Sequence, residues 1–257
     1  LSTTSFNYVY ERISKDLCLA SISGGTDILG CFVMGSPSLP VYCGEIQTPT
    51  LGMDMCVYDE QGNEVSLGKG ELVCRSPFPS VPIMFWGDDE NKSALCNAYF
   101  NKFPGVWTHG DYIEETENGG YIIYGRSDNT LNPGGVRIGT AEIYRQVEKI
   151  DQVMDSLAVG QQWQDDTRII LFVVLGEGVL LNDALIKLIK DTLRSNTSPR
   201  HVPEKIIEVQ DLPRTISGKI SEESVRCAIH NQPINNLAAL ANPKSIENFQ
   251  GLSQLED

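Results

Sequence analysis

The sequence predicts a mixed α/β (α+β) protein, and three observations carry that expectation. Between residues 51 and 125, short β-like runs are separated by turn signals, Asp59-Glu60-Gln61-Gly62-Asn63 and Asn118-Gly119-Gly120. After Gly125 the pattern changes to alternating helical and extended segments. A chain of 257 residues is also long enough for more than one domain, at roughly 100–200 residues each.

In chain order, residues 5–18 read as a helix, because Phe6, Val9, Ile13 and Leu17 recur three or four apart. The run 18–23 reads as a buried strand that gives way to Gly24-Gly25-Thr26-Asp27. Strands follow at 53–58, 71–75 and 121–124, with Asn118-Gly119-Gly120 turning a hairpin between 111–115 and 121–125. Ile143, Val147 and Ile150 mark one face of a helix, and 169–175 is an almost unbroken β-branched and aromatic strand. Asn182 is placed to cap a helix carrying Leu185, Leu188, Ile189 and Leu193 on one side. Residues 205–209 form another strand, and Ser221 with Glu222 and Glu223 opens a final core helix. A domain boundary is expected near Asp128: 1–127 as one domain, 128–230 as a smaller one, and 231–257 as an Asn-, Ala- and Ser-rich extension along the surface.

Composition narrows the function. A net charge of −14 argues against nucleic acid as a partner, which calls for a basic face. Any phosphate-bearing ligand must be held by local donors against that field. The seven cysteines (18, 31, 43, 56, 74, 96 and 227) are scattered without a C-x-x-C pair. That excludes a simple zinc ribbon or a thioredoxin motif and favours reduced thiols in the cytosol. No stretch approaches the ~18 apolar residues of a membrane span. The chain opens on Leu1, so the lack of a leader there says nothing about targeting.

Five clusters carry chemistry. In Gly24-Gly25-Thr26-Asp27, backbone N–H groups and the Thr26 hydroxyl suit a phosphate, and Asp27 suits Mg²⁺, which prefers oxygen ligands. In Thr108-His109-Gly110-Asp111, the carboxylate is a pure acceptor that suits the two hydroxyls of a ribose, while His109 is expected to be a satisfied, partly buried imidazole. Gly125-Arg126-Ser127-Asp128 offers forked donors for ribose or phosphate oxygens. Pro133-Gly134-Gly135-Val136-Arg137 is a glycine-rich loop leading into a helix. Pro213-Arg214-Thr215-Ile216-Ser217-Gly218-Lys219 is a tight basic turn that could hold an ammonium over a phosphate. Each is also compatible with an ordinary turn; their order along the chain is harder to dismiss.

That order resembles the adenylate-forming enzymes, which include acyl-CoA synthetases, luciferases and peptide-synthetase adenylation domains. Within them the wording of Leu39-Pro40-Val41-Tyr42-Cys43-Gly44-Glu45-Ile46-Gln47, of Asn101-Lys102-Phe103-Pro104-Gly105-Val106-Trp107 and of Ala241-Asn242-Pro243 is most similar to the acetoacetate–CoA ligases. The resemblance covers essentially the whole chain. It implies the C-terminal part of a large AMP-binding domain with a β-rich subdomain, followed by a small C-terminal domain. It further implies ATP, Mg²⁺ and CoA, with acetoacetate as the acid, and no membrane or nucleic-acid partner. By resemblance, Thr26 touches the α-phosphate with Gly24 and Gly25 beside it, and Asp27 assists the metal. Asp111 and Arg126 hold the ribose, and Asp128 is the hinge. Gly135 and Arg137 help to build the CoA face, and Lys219 approaches the acyl carboxylate and α-phosphate.

The resemblance also marks departures. The family's Ser/Thr/Gly-rich phosphate loop and earlier subdomains have no counterpart here, so the chain looks like the C-terminal portion of a larger enzyme and is expected to have little ligase activity alone. Gly35-Ser36-Pro37-Ser38 varies from the pattern, and Tyr144 stands where an acidic residue is commoner. Two other readings remain: a CoA ligase for another short acid such as acetate or propionate, and a non-catalytic binding module.

Overall fold

A computed structural model describes residues 1–164, 166–234 and 237–256. The chain divides into two units, Leu1–Asp128 and Asn129–Asp257.

In the first unit, β1 (Ser23–Gly25), β2 (Gly30–Met34) and β3 (Thr48–Pro49) form a small antiparallel sheet in that order. A second antiparallel sheet runs β4 (Met55–Tyr58), β5 (Lys69–Cys74), β6 (Trp107–Glu115) and β7 (Tyr121–Arg126). Its successive strands are neighbours, as expected where turns such as Asn118-Gly119-Gly120 join them. The core between the elements is aromatic at its centre. Phe78 meets both Phe32 and Trp107 edge-on with ring centroids 5.4 Å apart, and Tyr99 at the end of α2 (Ser93–Tyr99) stacks on Trp107 at 3.7 Å.

Two expectations for the start of the chain change. Helix α1 covers Thr3–Arg12 only, and Phe6 is its single buried residue, with Ile13 two-thirds exposed. Ser2 caps it by accepting from the Ser5 N–H, and the Ile13 and Ser14 N–H groups both turn back to the Val9 carbonyl. Ser14 then accepts from the Asp16 N–H, a local bond that competes with a further helical turn. Residues 18–22 form no strand; the strand is Ser23–Gly25 itself, paired with Gly30 and its neighbours.

The second unit is a three-stranded sheet, β10 (Lys205–Glu208), β9 (Asp166–Leu175) and β8 (Val153–Trp163), with β9 antiparallel to β8 and parallel to β10. Alternate residues of β9 face opposite layers. Ile169, Leu171 and Val173 pack with Ile143 and Val147 of α3 (Thr140–Val147) and with Leu185, Ile189 and Leu193 of α4 (Asp183–Asn196). Ile170 and Phe172 pack with Val225 and Ala228 of α5 (Glu222–Ile229). Burial on both faces is why this strand reads as a continuous apolar run.

Asn182 caps α4 by accepting from the Leu185 N–H at 3.0 Å, but Leu188 lies on the exposed side. β8 has no counterpart among the sequence expectations; its apolar run is only Leu157-Ala158-Val159, bounded by Ser156 and Gly160. The segment after 231 also differs from a surface extension. Leu240, Ile246, Phe249 and Leu255 are buried in the layer that covers Phe172, where Phe249 meets the Phe172 ring edge-on at 4.8 Å. Composition hid this because those four apolar side chains are spread over sixteen residues that are otherwise largely polar or small.

Candidate functional site

The first unit gathers its polar groups where β1, β6 and β7 meet. Asp111 and Arg126 are direct register partners across the β6–β7 hairpin, so the sheet itself sets them side by side. Asp111 is buried. Its Oδ2 accepts from the Ser23 hydroxyl at 3.0 Å, and its Oδ1 accepts from the Arg126 guanidinium at 3.3 Å. Arg126 also donates to the His109 carbonyl at 2.9 Å, while half of its side chain stays open to solvent. Gly110 permits this approach: its φ is +81°, and a Cβ there would lie 2.5 Å from an Arg126 nitrogen. The arrangement offers a fixed carboxylate with spare lone pairs beside a half-exposed guanidinium, which suits a vicinal diol.

His109 is buried, not partly so, with Nε2 3.7 Å from Asp111 Oδ2 and its ring edge-on to Phe32 at 4.9 Å. Burial pushes its imidazole below the usual histidine range, against the opposing pull of the Asp111 charge. The position therefore favours a neutral ring.

Gly24 and Gly25 lie in β1, and Thr26 and Asp27 stand exposed in the turn to β2, closed by the Leu29 N–H donating to the Thr26 carbonyl. Asp27 accepts from the Tyr99 hydroxyl at 2.5 Å, and burial together with that carboxylate pushes the Tyr99 phenol well up. No group of three or more His, Cys, Asp or Glu residues gathers as a metal centre among the described residues. Asp27 is thus a single exposed carboxylate with one oxygen taken. Mg²⁺, which keeps several waters and needs only one or two carboxylates beside substrate phosphates, fits such a position.

One contributor is absent from the sequence expectations. Glu71 of β5 is buried, accepting from Lys102 Nζ and from the Ser127 hydroxyl, each at 2.6 Å. It pins the residue that follows Arg126. A charged residue opening the apolar run Leu72-Val73 is the signal that marks it.

In the second unit the glycine loop is held from both sides. The Gly134 N–H donates to the Asp166 carboxylate at 3.0 Å, and Arg200 donates to the Pro133 and Gly134 carbonyls. Gly135 is exposed, and Arg137 donates to the Thr130 hydroxyl at 3.1 Å. Pro133, Gly134 and Arg200 form part of the wall of a cleft of about 410 Å³.

Lys219 closes a turn in which the Thr215 N–H donates to the Lys219 carbonyl and the Gly218 N–H to the Thr215 carbonyl, both at 2.8 Å. Gly218 has φ +85°, a conformation that a side chain would oppose. Lys219 is exposed, and its ammonium makes no hydrogen bond or ion pair among the described residues. Within each unit, then, the sequence-predicted residues are found in two settings. Asp111, Arg126, Gly24 and Gly25 meet in one place, with Thr26 and Asp27 at the adjoining turn; Gly135 and Arg137 share the glycine loop, and Lys219 lies on a different turn.

Comparison with known proteins agrees in sequence and in fold. Residues 143–219 match the family described as the AMP-binding enzyme C-terminal domain. The chain is 55% identical over 256 residues to an acetoacetyl-coenzyme A synthetase of Rhizobium meliloti, covering all of this chain and 39% of that protein. It is 45% identical to the acetoacetyl-CoA synthetase of Rattus norvegicus, again over the whole chain and 38% of the relative. Among solved structures, an acetoacetyl-CoA synthetase from Streptomyces lividans superposes with a TM-score of 0.91 at 39% identity, covering all of this chain and 40% of that one. The chain therefore spans about two fifths of the length of the relatives it matches.

Proposed function

From a chain that belongs to the adenylate-forming acyl-CoA synthetases, we propose part of an acetoacetate–CoA ligase, one that joins acetoacetate to CoA through an acyl-adenylate with release of AMP and pyrophosphate. The observation that carries the reading is the buried Asp111, set by sheet register against Arg126 and braced by Ser23. Such a pair suits the ribose of an adenylate.

In the first half-reaction a carboxylate oxygen of the acid attacks the α-phosphorus of ATP, and the bond to the β-phosphate oxygen breaks. Two anions must approach, so a fixed cation near the forming bond contributes much of the stabilisation. Lys219 takes that role, with the backbone of Gly24 and Gly25 and the Thr26 hydroxyl beside the α-phosphate. Mg²⁺ held by Asp27 supplies charge neutralisation when bound. In the second half-reaction the CoA thiol, losing its proton, attacks the acyl carbonyl; the bond to the phosphate oxygen breaks and AMP departs. Gly135 and Arg137 lie on the face that receives CoA. The exchange of lysine for thiol follows a rotation about Asp128 between the domain 1–127 and the domain 128–230, the latter extended by 231–257. The seven free cysteines support a reducing, cytosolic setting, and a ligase for acetoacetate would serve ketone-body and lipid metabolism. No helix among the described residues is long and apolar enough to cross a membrane.

The test is AMP formation by the protein that carries this chain, across acetoacetate, acetate and propionate. Dependence on acetoacetate is expected; a preference for acetate or propionate would replace the acid in this reading, and no acid-dependent AMP at all would end it.

A further inference from the structure

The triplet Ala241-Asn242-Pro243 is distinctive in the sequence, yet none of the roles above uses it. In the structure it lies along the turn that carries Lys219. The Ala241 N–H donates to the Arg214 carbonyl at 2.8 Å, and the Ile216 N–H donates to the Ala239 carbonyl at 3.0 Å. Residues 239–241 thus pair with one arm of the turn through an antiparallel bridge between Leu240 and Thr215. Asn242 closes the pairing. Its Oδ1 accepts from the Arg214 N–H at 2.8 Å, and its Nδ2 donates to Asp211 Oδ2 at 2.6 Å and to the Leu212 carbonyl at 2.8 Å.

We propose that Asn242 is a positioning residue for Lys219, latching the turn from residue 214 to residue 219 onto the C-terminal segment. The proposal rests on the adenylation role given to Lys219 above. Three features support the latch. First, the turn has little packing of its own: Ile216 is 76% exposed, and 217–219 are exposed throughout. Its shape is therefore held by hydrogen bonds. Second, the segment that grips it is firmly seated. Leu240, Ile246 and Phe249 are buried, and Ser245 donates to the Asn242 carbonyl at 2.7 Å. Third, the site needs the chemistry of a primary amide. One acceptor and two donors are all used, and no other short side chain supplies that set. An aspartate would lose both donors and face Asp211. The Arg214 guanidinium completes the brace from within, donating to the Gly218 carbonyl at 3.1 Å while pairing with Asp155 of β8.

The experiment compares Asn242→Ala and Lys219→Ala in the protein that carries this chain. It measures acid-dependent ATP–pyrophosphate exchange, thioester formation from supplied acyl-adenylate, and hydrogen exchange at the amides of Arg214, Thr215, Ile216 and Ala241. Loss of the latch is expected to slow adenylation about tenfold, in keeping with one or two lost hydrogen bonds. KM for the acid and the thioester step should stay within about twofold, and the four amides should exchange faster. Asn242→Ser, which keeps one acceptor and one donor on a shorter side chain, is expected to fall between wild type and Asn242→Ala, and it serves if the alanine variant does not fold. Equal loss in both half-reactions would make Asn242 a general structural residue and overturn the proposal. Unchanged adenylation by the Asn242 variants, with Lys219→Ala strongly impaired, would overturn the latch and leave the lysine's role standing. Unimpaired adenylation by Lys219→Ala would remove that role and the latch with it.

Discussion

The two units hold their candidate functional groups in opposite ways. Asp111 is buried in a four-stranded sheet, with both carboxylate oxygens already bonded to Ser23 and Arg126. Lys219 is exposed on a turn, its ammonium without a protein partner among the described residues, and only its backbone is fixed. The difference suits the two tasks proposed for these groups. A group that holds a ligand throughout a reaction gains from a rigid, pre-paid geometry. A group that serves one step must be free of competing partners when it is needed, so order is invested in the loop, not in the side chain's own bonds.

Substitutions can break or sharpen that contrast. The largest effect is expected in the second unit's core: Phe249→Ala should cost about 3–5 kcal/mol of stability, seen as a lower urea midpoint, because Phe249 is fully buried against Phe172. Lys219→Ala should reduce acid-dependent pyrophosphate exchange by roughly 10²–10³, with unchanged thermal melting. Loss of stability there would show that the lysine is structural, and the contrast would fail. Asp111→Asn should weaken ATP binding about tenfold or more, since bonds to a charged acceptor are worth about 1.5–3 kcal/mol. It should also perturb the fold, because Arg126 loses the nearer of its two carboxylate partners among the described residues and keeps only Asp128.

Smaller effects sharpen the picture at the same site. Gly110→Ala should destabilise the first unit by roughly 1–2 kcal/mol through its positive φ, and displace Arg126 as well. The smallest effect concerns pH. The folded-state pKa of His109 is depressed, so the unfolded chain binds the proton more readily. Stability should be fully present above the unfolded value of about 6.5 and decline as pH falls through it toward the folded value. Chemical denaturation between pH 7.5 and 5.5 would show this slope, and His109→Asn should flatten it.

Legibility in the sequence followed the range of the interaction. Asn182 was readable as a cap because its partner is the Leu185 N–H, three residues on. The β6–β7 hairpin was readable because Asn118-Gly119-Gly120 names its own turn, but the pairing of Asp111 with Arg126 across it comes only from the register the strands adopt. Contacts between distant segments were not readable. Nothing local to Asp27 points to Tyr99, 72 residues away, nor does Arg214 point to Asn242. The end of α1 was missed for a different reason: apolar spacing continues through Ile13 and Leu17, while Ser14 diverts the backbone. β8 escaped because its apolar run is three residues long, and its strand character comes from pairing with β9 along ten register positions.

That central strand has a consequence for time as well as for packing. β9 bonds to neighbours on both edges and is covered on both faces, so its amides have no shallow route to solvent. Ile170, Leu171 and Phe172 should be the slowest clock in the second unit, exchanging only when the whole unit opens, while the lysine turn opens many times over.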